Sequence, residues 1–276
     1  MESHDMGSSM RLREFADRHV SALEGDEERH HLMLFLIGSA LHQPEGNLRC
    51  WTLGTGAACA VQSPGWPLVL GTIDPDMCRD FAAATRDLAY PAVIGPRESV
   101  AFYVDEAVRH GRSFGAPVDQ QIYAMRAAPG RPECDGVARP VTTATVDLFT
   151  DWALAFEAEA DLHRPPSARQ DLAALALNGD SLFWTVDGVP VSLASVSRRT
   201  RRTASISRVY TPPIARGRGY AGAVTAAQAA RVMAQGKPIA VLFADLANPA
   251  ANRCYQRIGF EPVCRFAFFP AESPAR

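Results

Sequence analysis

The spacing of apolar positions changes repeatedly along this chain, and each change predicts an element. Leu12, Phe15, Ala16 and Leu23 share one side of a helix over residues 10–24, and Leu32, Leu36 and Ile37 place a second over Glu28–Leu41. Three short strand-like segments follow, Leu48–Leu53, Ala57–Gln62 and Pro67–Thr72, with Gly54-Thr55-Gly56 suited to a hairpin between the first two. Asp74-Pro75-Asp76 caps a helix running to about Leu88. Pro91–Ile94 then reads as a strand, Glu98–His110 as a helix and Val118–Arg126 as an alternating strand.

Residues 127–138 carry Pro129, Gly130, Pro132 and Gly136 with little apolar content, which predicts a linker at 128–138. Beyond it, Val141–Val146 reads as a strand, Asp147–Ala160 as a helix with Asp147 as N-cap, and Ser167–Leu177 as a helix capped by Ser167 and closed by Asn178-Gly179. Ser181–Val186 and Val189–Arg198 flank Asp187-Gly188, a strong hairpin signal. A strand over 203–211, a helix over 219–235, a strand over 239–246, a helix over 249–258 and a strand over 260–269 complete the order. The two halves repeat nearly the same sequence of elements.

The stretch Val209 to Gly222, VYTPPIARGRGYAG, carries the clearest chemistry. Pro212 and Pro213 stop the strand because neither can donate to a ladder. Arg216-Gly217-Arg218-Gly219 then opens the helix. A helix start leaves N–H groups without partners, backed by the positive end of the helix dipole, and glycines let that backbone approach a ligand. The product is a socket for a phosphate or pyrophosphate. Gly217, Gly219 and Gly222 match the letters G-x-G-x-x-G. The flanking prolines and Arg216 argue against a dinucleotide fold, and no Lys-Ser/Thr follows for a P-loop.

Downstream, Asn248, Ala251, Tyr255, Gly259 and Phe260 are spaced as Asn-x-x-Ala-x-x-x-Tyr-x-x-x-Gly-Phe. With Arg216, Gly219 and Ala221 as Arg-x-x-Gly-x-Ala before them, residues 139–269 resemble the GNAT superfamily of N-acetyltransferases. The resemblance implies an α+β, three-layer fold: two tandem GNAT-like domains, each a mixed, mostly antiparallel sheet flanked by helices. The expected division is 1–9 as a tag or disordered leader, 10–127 as a degenerate domain, 128–138 as linker and 139–276 as the catalytic domain. The first half has Asp74 and Asp76 where a phosphate would sit, so one donor site is expected.

The resemblance further implies acetyl-CoA as donor, bound by Val209, Tyr210, Thr211, Arg216, Gly217, Arg218, Gly219, Tyr220, Ala221, Gly222, Asn248 and Asn252, with Tyr255 protonating the leaving thiolate. The chemistry is acetyl transfer to a primary amine of a small molecule or amino-acid-like acceptor, by direct attack in a ternary complex. A protein or peptide N-acetyltransferase and a non-catalytic CoA-binding module are the alternatives. No carboxylate occupies 204–210, which leaves Glu157 and Glu159 as base candidates, each expected to be a solvated surface group. Trp152, Phe156 and Trp184 are expected mainly to pack in the core.

Composition narrows the remaining classes. A net charge of −2 gives no support for nucleic acid or an anionic membrane as partner. The run Arg198-Arg199-Thr200-Arg201-Arg202 reads as a solvated turn. The six cysteines show no metal-ligand spacing and read as reduced thiols of a cytoplasmic protein, with no metal and no membrane span expected. The protein is expected to be a monomer or homodimer.

Overall fold

In the computed structural model, residues 12–43, 47–160 and 167–272 are described. The expected leader at 1–9 lies outside them. The chain divides into two compact units: 1–122 with 244–247 and 263–276, and 123–243 with 248–262.

In the first unit, α1 (Leu12–Gly25) and α2 (Glu27–Leu41) precede β1 (Arg49–Thr52), β2 (Cys59–Gln62) and β3 (Leu68–Leu70). Then come α3 (Pro75–Ala84), β4 (Ala92–Pro96), α4 (Arg97–Arg109), β5 (Ser113–Phe114) and β6 (Val118–Met125), whose last three residues fall in the second unit. β1, β2 and β3 pair antiparallel in turn, and β3 pairs parallel with β4. Alternation along the strands builds a core on each face of the sheet. Cys59 and Val61 meet Phe15, Leu23, Met33 and Ile37, while Ala60, Leu68 and Leu70 meet Cys78, Phe81, Val100 and Tyr103. Asp74 caps α3 as the sequence predicts, accepting from the Met77 N–H at 2.9 Å.

The second unit begins with β7 (Val137–Pro140), α5 (Val146–Glu159) and α6 (Arg169–Leu175), followed by β8 (Ser181–Val186), β9 (Val189–Arg199) and β10 (Thr203–Tyr210). It continues with α7 (Tyr220–Ala234), β11 (Ile239–Asp245) and α8 (Pro249–Arg257). β12 (Glu261–Glu272) ends the described chain. β7 to β10 pair antiparallel in order, and β10 pairs parallel with β11. The Asp187-Gly188 turn closes its hairpin with both residues at positive φ, 51° and 80°, as a type I′ geometry requires. Phe149, Ala153 and Leu172 of α5 and α6 pack on Phe183, Leu193 and Tyr210. In the first unit three antiparallel strands lead into a parallel fourth, and in the second β8, β9 and β10 do the same with β11, with β7 added at the edge.

Several boundaries differ from the sequence reading. The strand expected at Val141–Val146 lies earlier, as β7, which overlaps the end of the stretch expected to be linker. Two contacts hold it there: the Trp184 indole N–H donates to the Asp135 carbonyl at 2.9 Å, and Thr185 Oγ1 donates to the Val137 carbonyl at 3.0 Å. Residues 142–145 form a turn in which Thr145 Oγ1 accepts from the Thr142 N–H at 3.0 Å, so Thr145, not Asp147, precedes α5. Ser167 does not cap α6, because both its N–H and its hydroxyl donate to Glu157, each at 2.8 Å. The final strand does not stay with the second half: Phe266–Pro270 pairs antiparallel with β4. The six cysteines are free thiols. Among the described residues no helix is long and apolar enough to cross a membrane.

Gly136 tests the anchoring of β7. Its φ is +119°, and an added Cβ would lie 2.5 Å from Trp184 Nε1 and 2.6 Å from the Thr185 carbonyl. Gly136→Ala is expected to destabilise the protein by about 1–3 kcal/mol, read as a lowered urea midpoint, whereas Gly130→Ala, with no atom within 4 Å of the added Cβ, should leave it unchanged.

Candidate functional site

The site begins where a strand loses its neighbour. β10 and β11 pair from Thr203↔Ile239 to Ile206↔Leu242, yet β10 continues to Tyr210 and β11 to Asp245. On its other side β10 remains paired with β9, bulging between Ser207 and Tyr210, with Arg208 at φ +48°. The parted strands leave 207–210 without register partners on β11, and Val209 and Tyr210 of this stretch line open space.

Beyond Tyr210, Pro212 breaks the strand and Pro213–Ala215 makes a single 3₁₀ turn. Gly217 and Gly219 adopt φ of +78° and +82°, a region that costs other L-residues about 1–2 kcal/mol. Gly219 is the N-cap of α7 and carries no side-chain cap. The first intrahelical bond is donated by Ala223 to the Gly219 carbonyl, so the N–H groups of Tyr220, Ala221 and Gly222 precede the ladder. The loop is tied down from behind. Arg216 donates from Nε to the Thr211 carbonyl at 2.8 Å and from Nη2 to both Glu159 oxygens at 2.9 and 2.7 Å. Tyr210 donates to the same carboxylate at 3.4 Å.

A cleft of about 620 Å³ lies along these groups. Val209, Tyr210 and Thr211 line it, as do Arg216, Gly217, Gly219, Tyr220, Ala221 and Gly222, with Asn248 and Tyr255 of the α8 segment. Arg218 lines an adjoining hollow of about 410 Å³ with Arg131 and Arg257, and Gly217, Gly219 and Gly222 border both. Asn252 lines neither. Its Oδ1 accepts from the Tyr123 hydroxyl at 2.9 Å and its Nδ2 donates to the Asn248 carbonyl at 2.7 Å. Asn248 caps α8 through the Ala251 N–H at 3.0 Å.

The ring of Tyr255 lies 6.4 Å from that of Tyr123 and 6.2 Å from that of Phe260. Burial, with Cys254 beside it, pushes the Tyr255 phenol up from its ordinary value, so it stays protonated at neutral pH. Burial also raises the Cys254 thiol, against the lowering effect of Arg257, which favours its protonated form.

The two carboxylates expected at the surface behave differently. Glu157 is buried, holding Ser167 and lying 3.9 Å from Arg208. Glu159 is half exposed and, among the described residues, is the one carboxylate that lines the 620 Å³ cleft. Trp152 packs edge-on against Phe183 and Trp184 is buried, as expected, and Phe156 packs against the same core while also lining the cleft. Sequence reasoning missed Arg131, Glu133 and Cys134, which line the adjoining hollow from the Pro/Gly-rich segment and gave no motif signal.

Residues 189–267 match a family model described as FR47-like protein. A putative GNAT-family acetyltransferase from Novosphingobium aromaticivorans is 18% identical, over 95% of this chain and 99% of its own, with a TM-score of 0.53. A GCN5-related N-acetyltransferase from Kribbella flavida is 16% identical over 90% and 96%, with a TM-score of 0.61. A Drosophila protein covers 98% of this chain and 100% of its own at 11% identity, with a TM-score of 0.68. The chain has the GNAT fold. No curated protein matches the sequence. The FR47-like segment spans β9 to most of β12 and thus contains the parted strands, the glycine loop and the α8 wall of the GNAT unit.

Gly222 sets how closely α7 and α8 approach, since an added Cβ would lie 3.2 Å from Cys254 Sγ and 3.3 Å from Ile258 Cγ2. Gly222→Val is expected to cost about 1–3 kcal/mol in urea unfolding. Combining it with Cys254→Ala should recover part of that loss, so strict additivity of the two changes would contradict this contact.

Proposed function

We propose that the protein is an N-acetyltransferase that moves the acetyl group of acetyl-CoA to a primary amine of a small, amino-acid-like acceptor, by direct attack in a ternary complex. The observation that carries this reading is the coincidence, in one cleft, of a strand freed from its neighbour and a glycine-opened helix start. The helix start suits a pyrophosphate: its N–H groups precede the ladder and the dipole favours anions. Arg131, Arg218 and Arg257 beside it add positive charge for a polyanionic donor. The freed edge of β10 suits pantetheine, whose amides can pair strand-like with Val209, Tyr210 and Thr211. The thioester then lies alongside 207–209, where an unpaired N–H can polarise its carbonyl as negative charge develops.

Transfer forms the amine nitrogen–carbonyl carbon bond and breaks the carbonyl carbon–sulfur bond. The departing sulfur carries the electron pair, and Tyr255, protonated and lining the cleft, stabilises it by donating its phenol hydrogen. The acceptor amine must shed a proton, and Glu159 is the carboxylate placed among the lining residues to receive it through solvent. Asn248 acts from the end of β11, where it caps α8 and borders the cleft. In this reading Asn252 supports the α8 wall through Tyr123 rather than touching the donor.

The test pairs binding with turnover. Tyr255→Phe is expected to lower acetyl transfer, followed by thiol release, about 10²-fold while acetyl-CoA affinity stays near that of the unaltered protein. Gly219→Glu, which places bulk and negative charge at the helix start, is expected to abolish acetyl-CoA binding in a folded protein. Normal turnover by the first variant would overturn the acid assignment, and normal affinity in the second would overturn the loop assignment.

A further inference from the structure

The charge run at the end of β9 is only partly a solvated turn. Arg201 and Arg202 are exposed, but Arg198 turns inward and reaches the place where β10 and β11 part. Its Nη2 donates to Ser205 Oγ at 3.3 Å, and its guanidinium carbon stands 5.2 Å from the Phe243 ring centroid. Ser205 and Phe243 flank the last strand pair, Ile206↔Leu242. Among the described residues no carboxylate pairs with Arg198, and its buried Nε has no hydrogen-bond acceptor. The Ser207 hydroxyl, on the freed stretch of β10, is likewise buried without a partner.

A buried guanidinium without a counter-ion is costly, because burial removes its hydration and nothing replaces it. Here a second positive charge, Arg208, lies close enough to add to the cost, and burial together with Arg208 pushes the Arg198 guanidinium down to about 10. Arg208 faces Glu157 at 3.9 Å. The Arg198 Nε–H and the Ser207 hydroxyl are two buried donors without acceptors, beside a positive charge, a chemistry that suits the oxygens of a carboxylate. A single negative charge matches Arg198, whereas a dianion would also meet the field of Glu157.

Resting on the donor reading above, we propose that Arg198 and Ser207 form a subsite for a carboxylate carried by the acceptor. The thioester lies alongside 207–209 in that reading, so a carboxylate held at Arg198 presents an amine one or two bonds away to the acetyl carbon. The acceptor class is then an amino acid or short amino-carboxylate, not a neutral alkyl amine. Arg198 is a binding residue for this acceptor, distinct from the groups that hold the donor.

The experiment uses the full chain and does not require the acceptor to be known. Thermal unfolding is followed with sodium acetate against sodium chloride at matched ionic strength, and with N-acetylglycine against N-acetylglycinamide in the presence of CoA. Acetate and N-acetylglycine are expected to raise the midpoint over their controls. Arg198→Met should weaken both at least about tenfold (about 1.4 kcal/mol), and Arg198→Lys should restore part of the effect while the acetyl-CoA shift stays unchanged in both variants. Should Arg198→Met not fold, Ser207→Ala serves the same purpose and should weaken acetate severalfold. Equal shifts for the acid and its amide, or an acetate effect that survives the variants, overturn the subsite. An acetyl-CoA shift absent from the unaltered protein overturns the donor reading instead and leaves the acetate comparison standing as its own result.

Discussion

The second unit depends on a ladder that stops early. β10 and β11 share four register pairs and then separate, while β9 keeps its hold on the other side of β10. Unpaired backbone in a protein interior is expensive unless water or a ligand takes the place of the missing strand. The prolines after Thr211 prevent the strand from continuing, and the glycines at 217 and 219 turn the chain into α7 by left-handed residues rather than by a side-chain cap. The open edge and the open helix start therefore arise from one short segment, and each is useful because the other lies beside it.

The first unit shows what happens when that segment changes. Its element order is the same, with three antiparallel strands, a helix and a parallel strand. At the helix start, however, Asp74 accepts from the Met77 N–H and Pro75 removes another donor. In α3 one first-turn N–H is capped within the chain and another is absent, and carboxylate charge stands where α7 has open backbone. The same supersecondary pattern thus yields a capped helix start in one unit and a helix start bordering a cleft in the other.

Much of this was legible in sequence because the determinants are local. Gly217, Gly219, Pro212 and Asn248 act through their own backbone or the next few residues, and the Asp187-Gly188 turn is encoded in two letters. Tertiary hydrogen bonding overrode local preference elsewhere. Ser167 looks like a cap but serves Glu157, and the Asn252 side chain accepts from Tyr123, 129 positions away. The pairing of β12 with β4 involves residues roughly 170 positions apart, which no periodicity can signal. Arg198 was read with its neighbours as a solvated run, yet strand alternation sends it inward while Arg201 and Arg202 remain outside. A charge run that begins inside a strand should be divided by face before it is read as surface.

Isothermal titration of the full chain with acetyl-CoA tests the central claim most directly. A single donor site at the 209–222 segment predicts saturable binding at one acetyl-CoA per chain, competed by free CoA. Two equivalents per chain would place a second socket in the first unit, and no binding at millimolar ligand would contradict the assignment of the 209–222 segment to a CoA donor.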